Sequence, residues 1–295
     1  MNIENKILKD LDEILKIAKG FQRDGLFHVN GKIQHVDISQ VELTDTVFSF
    51  NYKDQKLLHF TSYNAAIAIL KSKNIRALSL SALNDHTELT HSLNLIHEDY
   101  PKLIEAKNYT FVACFTPRNP ELKISNYSFH WENYANDHKG IALEFEVIRD
   151  PLYPFLFSLN VSYLDKADQN NLLKVLKHKK FNEITLIALL PLLASIKKPF
   201  FNNEEEVRLL YALEKESCCP EFSLMDSIGY FLSDENRAKY FFKIPFIFLN
   251  EKNENDALLK LNKIYLGKSS GINDGNEILI YYLVFVRKLK KLVSL

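Results

Sequence analysis

The sequence predicts an α+β protein built on a split mixed β-sheet with surrounding helices. Three observations support this. Residues 57–80 read as a strand, an amphipathic helix and a second strand in direct succession. Alternating strand-like segments follow at 110–115 and 140–147, with a short helix predicted over 131–137. Hydrophobic residues make up 46% and charged residues 25% of the 295 residues, which indicates a folded globule and excludes whole-chain disorder.

The chain divides at residue 55. Residues 1–55 are predicted to be accessory, because an amphipathic helix over 3–18, which could pack on the core or bind a partner, precedes a polar stretch with short strand-like pieces. Residues 56–295 form the main domain. After the fourth strand we predict a short strand at 160–164, helices at 170–179 and 183–197, and a late strand at 278–286. Segment 205–213 fits a strand or a helix by periodicity alone.

Charge and cysteine content restrict the class of partner and the compartment. Lysine plus arginine and aspartate plus glutamate both number 37, so the chain lacks the basic excess expected of a nucleic-acid binder. A local basic stripe stays open, formed by Lys177, Lys179, Lys180, Lys197 and Lys198. Three cysteines without paired spacing favour a reducing, cytoplasmic location. No Sec signal or membrane-spanning segment is predicted, although export by a non-Sec route stays open.

His59 and Thr61 lie two apart in the first strand, so their side chains are expected on one face. One interpretation is a half-buried histidine with its own hydrogen bonds. The other is a pair of polar groups fixed on a rigid strand to bind a ligand in a cleft.

Glu204, Glu205 and Glu206 precede an apolar segment that contains Arg208. As a helix N-terminus, this cluster would be solvated and favoured by the helix dipole. As a strand, it would place Glu204 and Glu206 on one face, where two carboxylates could act on one ligand.

Other polar and aromatic residues have simple structural explanations. Asn84 and Asp85 fit a capped turn, and Trp131 and Tyr134, three apart on a helical turn, fit the core. Cys114 is interpreted as a small hydrophobic residue within a strand. No phosphate-binding loop, Ser-His-Asp arrangement or metal-ligand spacing is present in the sequence, and no metal is predicted.

Six segments in a fixed order resemble a bacterial and phage family catalogued as a domain of unknown function. They are LLHFTS (57–62), IRALSLSALNDHTE (75–88), VACFT (112–116), HWENYANDHKGIALEFE (130–146), EEEVRLL (204–210) and IYLGKSSG (264–271). The same order of a first-strand histidine, a second-strand hydroxyl and a late acidic strand resembles the ADP-ribosyltransferase superfamily, whose split sheet binds NAD in a cleft.

The second resemblance implies roles for individual residues. His59 and Thr61 would hold the nicotinamide-side ribose or amide, and Ser79 and Ser81, on one face of the second strand, would shape the pocket. Glu206 would be the catalytic glutamate, bonded to the ribose 2′-hydroxyl and stabilising the oxocarbenium-like transition state as nicotinamide leaves.

Glu204 matches the first acid of the Glu-x-Glu pair that orients the acceptor guanidinium in arginine-modifying members. Trp131 and Tyr134 would stack on nicotinamide or adenine, and Asn84 and Asp85 would line the NAD-binding loop. Arginine-specific members usually carry an arginine on the first strand, where this chain has a histidine, so the acceptor type stays open.

The function implied by this resemblance is NAD-dependent mono-ADP-ribosylation, as a toxin or bacterial effector. NAD would be the co-substrate, and a protein arginine the expected acceptor. Two alternatives stay open. In an NAD glycohydrolase, water would replace the acceptor. In a non-catalytic module, the cleft would only bind a partner.

Overall fold

A computed structural model describes the chain in separate stretches. They are residues 28–29, 32–33, 55–83, 107–148, 156–163, 194–197, 199–212, 228–232, 238–248, 257–268 and 293–294. Several sequence predictions lie outside these residues: the helices at 3–18 and 170–179, the strand at 278–286, the loop with Asn84 and Asp85, and Lys177, Lys179, Lys180 and Lys198 of the basic stripe.

The described strands are β1 (His28–Val29), β2 (Lys32–Ile33), β3 (Lys56–Thr61), β4 (Asn74–Ser79), β5 (Thr110–Arg118), β6 (Ile141–Val147), β7 (Leu156–Asn160), β8 (Ser162–Tyr163), β9 (Ile196–Lys197), β10 (Val207–Ala212), β11 (Ile228–Leu232), β12 (Ala238–Phe248), β13 (Leu259–Leu266) and β14 (Val293–Ser294). The described helices are α1 (Tyr63–Ser72) and α2 (Ser128–Asn133), with 3-10 turns at Leu80–Ala82, Lys107–Tyr109, Ile124–Asn126 and Pro199–Glu204.

The described part is a mixed α+β structure dominated by one sheet of mixed strand orientation. Strand β13 pairs in parallel with β12 and β14, whereas the other pairings of this sheet are antiparallel. The predicted α+β class and mixed sheet are therefore confirmed. No helix in this part of the chain is long and apolar enough to cross a membrane.

The sheet closes on itself through β4, which pairs with both β5 and β12. Following the hydrogen bonds gives a ring in the order β12, β13, β6, β3, β5, β4. Along the edge of β5 away from β10, β4 pairs at Phe111 and Val112 and β3 pairs from Thr116 to Arg118. Between these pairings β3 and β4 separate, and this split positions the site described below.

The split follows from the unit that joins the two strands. Ser62 caps α1 with its hydroxyl, which accepts a hydrogen bond from the Ala65 amide, as expected of a helix N-cap. Lys73 ends the helix in a left-handed conformation (φ 53°), and β4 begins at once. Ala66 and Leu70 bury the inner face of α1. The predicted strand-helix-strand unit is confirmed. Strands β3 and β4 both pair with β5 but do not pair with each other.

Among the described residues, alternation along the strands contributes to two hydrophobic cores. Phe111, Ala113 and Phe115 of β5 face the main core. A smaller core lies under α2, where Trp131 contacts Phe60 edge to face with ring centroids 5.1 Å apart.

The structure corrects one predicted helix and decides one segment for which strand and helix were both open. The helix predicted to end at Lys197 does not reach that residue, because 194–195 form a turn and 196–197 are β9. The ambiguous segment 205–213 is a strand, β10, which starts at Val207 between β5 and β7.

Candidate functional site

A cavity of about 240 Å³ lies at the split of the sheet. Three consecutive residues of β3, 58–60, and three of β5, 114–116, form one side of it, and Leu83 lines it just beyond β4. The last pairing of β3 with β5 is Leu58 with Thr116, so the next residues of both strands border the cavity.

The side chain of His59 joins β3 to β5 just beyond the point where the pairing of these two strands ends. Its Nδ1 lies 3.2 Å from the Cys114 carbonyl oxygen, and its ring packs on Phe115 with centroids 5.5 Å apart. A carbonyl only accepts, so Nδ1 carries the hydrogen and leaves Nε2 as an acceptor in the neutral ring. Burial lowers the pKa of His59, and the bond to Cys114 offsets this only in part. At neutral pH, His59 therefore offers a hydrogen-bond acceptor to a ligand.

The rest of the lining includes a charged wall of Lys197, Glu204, Glu206 and Arg208, in which one ammonium holds two carboxylates. Glu204 ends a 3-10 turn, and Glu205 takes a left-handed backbone conformation (φ 41°) before β10 begins. The carboxylates on either side of it converge on Lys197, whose Nζ lies 2.5 Å from Oε2 of Glu204 and 2.5 Å from Oε2 of Glu206. The carboxylates of Glu204 and Glu206 thus lie close together, although β10 starts only after them.

Glu206 is held as an anion by two cations. Arg208 Nε lies 2.7 Å from its Oε1 and Nη2 lies 3.3 Å from its Oε2, a bidentate contact. Burial raises the pKa of Glu206, but the charges of Arg208 and Lys197 outweigh it and bring the pKa to about 2. Arg208 is 1% exposed and also donates to the Ala194 carbonyl. Glu206 is therefore ionised throughout the neutral range.

Glu204 is held by residues of α2 and its C-cap. The Tyr134 hydroxyl lies 2.5 Å from its Oε1, and His130 Nε2 lies 2.8 Å from its backbone carbonyl oxygen. Burial and the neighbouring Glu204 keep the pKa of Tyr134 well above its ordinary value, so this hydroxyl stays a donor. Burial also shifts the pKa of His130, but downward. The His130 ring packs on Phe60 with ring centroids 5.2 Å apart.

Cys114 lies on the cavity rather than in the core, which corrects the sequence interpretation. Its side chain is exposed, and its thiol bonds to the Glu206 carboxylate. Its side chain points the same way as that of Arg208, the residue paired with it on the neighbouring strand β10. The surrounding protein and the negative charge of Glu206 raise the pKa of this thiol well above its ordinary value, so it is a weak nucleophile at neutral pH.

The structure brings together four of the predicted site residues. His59, Tyr134, Glu204 and Glu206 all line the cavity. Within the described stretches, no group of three or more His, Cys, Asp or Glu side chains is placed to hold a metal ion.

Four other predicted site residues lie outside the cavity lining. Thr61 ends β3, paired with Ile141. Ser79 is buried at the end of β4, and its hydroxyl lies 3.1 Å from that of Ser81. Ser81 is in a 3-10 turn rather than in the second strand. Trp131 is 3% exposed, and its indole donates to the Ile124 carbonyl, so it belongs to the smaller core rather than to a stacking surface.

Among the cavity residues that sequence reasoning missed are three with basic side chains, Lys197, Arg208 and His130. Arg208 had a usable signal, because it continues the two-residue spacing of Glu204 and Glu206. Lys197 had none, since it follows an apolar run and the sequence offers it only as a member of the basic stripe that stays open. It is 4% exposed and ion-paired, which removes it from that stripe.

Residues 130–209 match the protein family described as "Protein of unknown function (DUF2971)". This confirms the predicted resemblance to a family of unknown function for that part of the chain, and it carries no link to ADP-ribosyltransferases. No match to the chain was found among curated proteins or among solved structures. The matched segment contains the whole charged wall of the cavity, Lys197, Glu204, Glu206 and Arg208, together with His130 and Tyr134. His59 and Cys114 precede the matched segment in the sequence, so the cavity lining extends beyond that segment.

Proposed function

We propose that the cavity binds the nicotinamide end of NAD and that the protein is a mono-ADP-ribosyltransferase with a protein acceptor, expected to be arginine. One observation carries the proposal. His59 and Glu206, far apart in the sequence, border a single cavity, the first as a neutral acceptor and the second as a permanent anion. A toxin or bacterial effector role is part of the same proposal.

The size of the cavity supports partial enclosure of the dinucleotide. Its 240 Å³ lies below the ~300 to 1,000 Å³ typical of small-molecule sites. It would therefore enclose one end of NAD and leave the adenosine outside. The side chains of Phe60 and Tyr134 offer apolar surface to a flat ring, and His59 Nε2 would accept a hydrogen bond from a ribose hydroxyl or the carboxamide.

The charge of Glu206 favours an electrostatic role. In the proposed reaction the bond between ribose C1′ and the nicotinamide nitrogen breaks, and its electron pair leaves with nicotinamide. The acceptor nitrogen then bonds to C1′ and loses a proton to solvent. Positive charge develops on the ribose, where a fixed carboxylate lowers the barrier. With a pKa of about 2, Glu206 supplies that charge but no proton.

Glu206 already has a full set of partners. A carboxylate has about four lone-pair sites. Arg208 contributes two contacts, and Lys197 and the Cys114 thiol one each. A ribose hydroxyl would thus replace one of these partners, and the proposed reaction requires the wall to rearrange locally.

The engagement of Glu204 favours NAD glycohydrolysis as the second candidate. Its two oxygens are bonded to Tyr134 and Lys197, and the residue is 8% exposed. An acceptor guanidinium would have to take over one of these contacts, whereas water needs no such orientation.

Labelled NAD tests both enzymatic candidates. We expect the protein to release nicotinamide and to label a protein in a cell lysate, whereas Glu206→Gln loses at least ~100-fold of the cleavage rate. Glu146→Gln is the matched control, since Glu146 bonds to Lys260 outside the cavity lining. Free ADP-ribose without labelled protein would select the glycohydrolase. No cleavage with any lysate would leave a non-catalytic module.

Alkylation of Cys114 tests ligand binding without catalysis. The thiol faces the cavity, so a bound nicotinamide group would cover it. We expect nicotinamide and NAD to slow alkylation of the Cys114 peptide at alkaline pH, and AMP, which lacks nicotinamide, to have no effect. Equal rates with all three compounds would contradict binding in this cavity.

A further inference from the structure

The charged wall of the cavity is electrically balanced. Glu204 and Glu206 supply two negative charges, and Lys197 and Arg208 supply two positive charges. The Oε2 atoms of the two carboxylates are at most about 5 Å apart, since each lies 2.5 Å from the same ammonium. Without a cation between them, two carboxylates at this range repel.

The two cations are held differently. Arg208 binds Glu206 through both of its oxygens and also donates to the Ala194 carbonyl. Lys197 reaches the carboxylates through a single ammonium on a flexible four-carbon stem, which also lies over the Phe201 ring at 5.4 Å. The hold of Lys197 on both carboxylates therefore depends on one flexibly carried ammonium, whereas that of Arg208 on Glu206 is a bidentate contact.

We propose that Lys197 is a specificity-determining residue whose ammonium occupies, as an internal cation, the place between Glu204 and Glu206 that the cationic group of a ligand takes. This inference rests on the proposed function, because the nicotinamide ring of NAD is a pyridinium cation. A neutral ring meets a balanced wall, whereas a cationic ring competes with Lys197. Removing the lysine leaves a net negative wall and strengthens the binding of cations alone.

The test compares 1-methylnicotinamide, a pyridinium cation, with nicotinamide, which is neutral and nearly the same shape. Their affinities are measured by calorimetry for the wild type, Lys197→Met and Lys197→Ala. We expect 1-methylnicotinamide to bind both variants ~10-fold tighter or more, because a unit charge a few ångströms away has been uncovered. The affinity for nicotinamide should change less than ~3-fold, and added salt should reduce the gain.

Lys260→Ala is the matched control. Lys260 also pairs with a glutamate, Glu146, at 3.0 Å, but lies outside the cavity lining. It should leave both affinities unchanged. If the affinities for both compounds rise by the same factor in the Lys197 variants, or if neither affinity rises, the proposed role of Lys197 is overturned. Ligand binding in the cavity is not contradicted by that result.

A second experiment tests the role of Lys197 independently of NAD binding. Propylammonium replaces the part of the side chain that Lys197→Ala removes. It should raise the melting temperature of that variant but not of the wild type or Lys260→Ala, and 1-propanol should raise none. If no pyridine compound binds any protein, the NAD proposal fails, and the propylammonium result alone decides the role of Lys197.

A measurement on the wild type covers variants that do not fold. Reductive methylation of Lys197, followed by peptide mass spectrometry, should be faster with 1-methylnicotinamide and unchanged with nicotinamide, because only the cation displaces the ammonium. At concentrations at which calorimetry shows 1-methylnicotinamide bound, equal labelling rates would overturn the proposal.

Discussion

At the scale of single residues, the buried contact between Glu206 and Arg208 is costly to form. Removing charges from water costs several kcal/mol for each ion, so a pair that is nearly fully buried is weak support for stability. Breaking the pair is different, because it leaves one buried charge without compensation. These residues are more easily explained by what their charges do to a ligand than by what they add to folding.

Neutralising Arg208 tests this asymmetry. We expect Arg208→Met to destabilise the protein by ~3 to 5 kcal/mol, because Glu206 keeps a buried charge with only Lys197 and a thiol beside it. Lys260→Met, which breaks the more exposed pair with Glu146, should cost no more than ~1 kcal/mol. Urea unfolding of both variants measures the difference. Similar losses would show that burial does not distinguish the two pairs.

Glu206 also predicts how stability depends on pH. Its pKa is about 2 in the folded state, below the ordinary carboxyl value of 4.5. The unfolded chain therefore binds the proton more tightly. The stabilisation, roughly 3 kcal/mol at 1.36 kcal/mol per unit, is complete above pH 4.5 and lost as pH falls toward 2.

Unfolding by urea between pH 5 and pH 3 measures this slope. Glu206→Gln removes the titrating group, so its free energy of unfolding should fall less steeply with decreasing pH than that of the wild type. Glu121→Gln, which alters an exposed carboxyl outside the cavity lining, is the control. Parallel curves for wild type and Glu206→Gln would contradict the low pKa.

At the scale of elements, the turn between α2 and β6 sets how closely the helix approaches β3. A Cβ at Gly140 would lie 2.3 Å from the Thr61 carbonyl oxygen and 2.8 Å from that of Ala135. Both contacts are with backbone atoms, which cannot move aside without shifting a strand or the turn. Only glycine fits there, and the approach it permits holds Tyr134 within bonding distance of Glu204.

Gly140→Ala is expected to destabilise the protein by ~1 to 3 kcal/mol through overpacking. It should also accelerate alkylation of Cys114, because a displaced α2 opens the cavity. Glu132→Ala on the exposed side of α2 is the control and should change neither quantity appreciably. Loss of stability without a change at Cys114 would mean that α2 does not cover the cavity.

The elements that could be predicted from the sequence are those whose patterns are local. The strand-helix-strand unit around α1 was predictable because its apolar spacing, cap and turn lie within some twenty residues. Glu204 and Glu206 were identified as candidates, but the left-handed residue between them and their shared lysine were not. Burial of a lysine depends on partners from another element, so composition and periodicity carry no trace of it.

At the scale of the whole molecule, the site is assembled from distant parts of the chain. The segment matched to the family of unknown function provides the charged wall, and β3 and β5 provide the histidine and the thiol. The ring of strands holds these parts together, since β3 pairs with both β5 and β6. Strands β12 and β13, which the sequence reading did not assign, complete that ring.

The ring also predicts the effect of removing residues 1–54. Every strand of the ring begins after residue 55, and β1 and β2 pair with each other. If the first segment is accessory, the truncated protein should keep its free energy of unfolding within about 1 kcal/mol, as expected when no buried feature is lost. Protection of Cys114 by nicotinamide should persist as well. A truncated protein that unfolds readily would make the first segment part of the core. One that stays folded but alkylates faster at Cys114 would make that segment a cover for the cavity, and the division of the chain at residue 55 would have to be abandoned in either case.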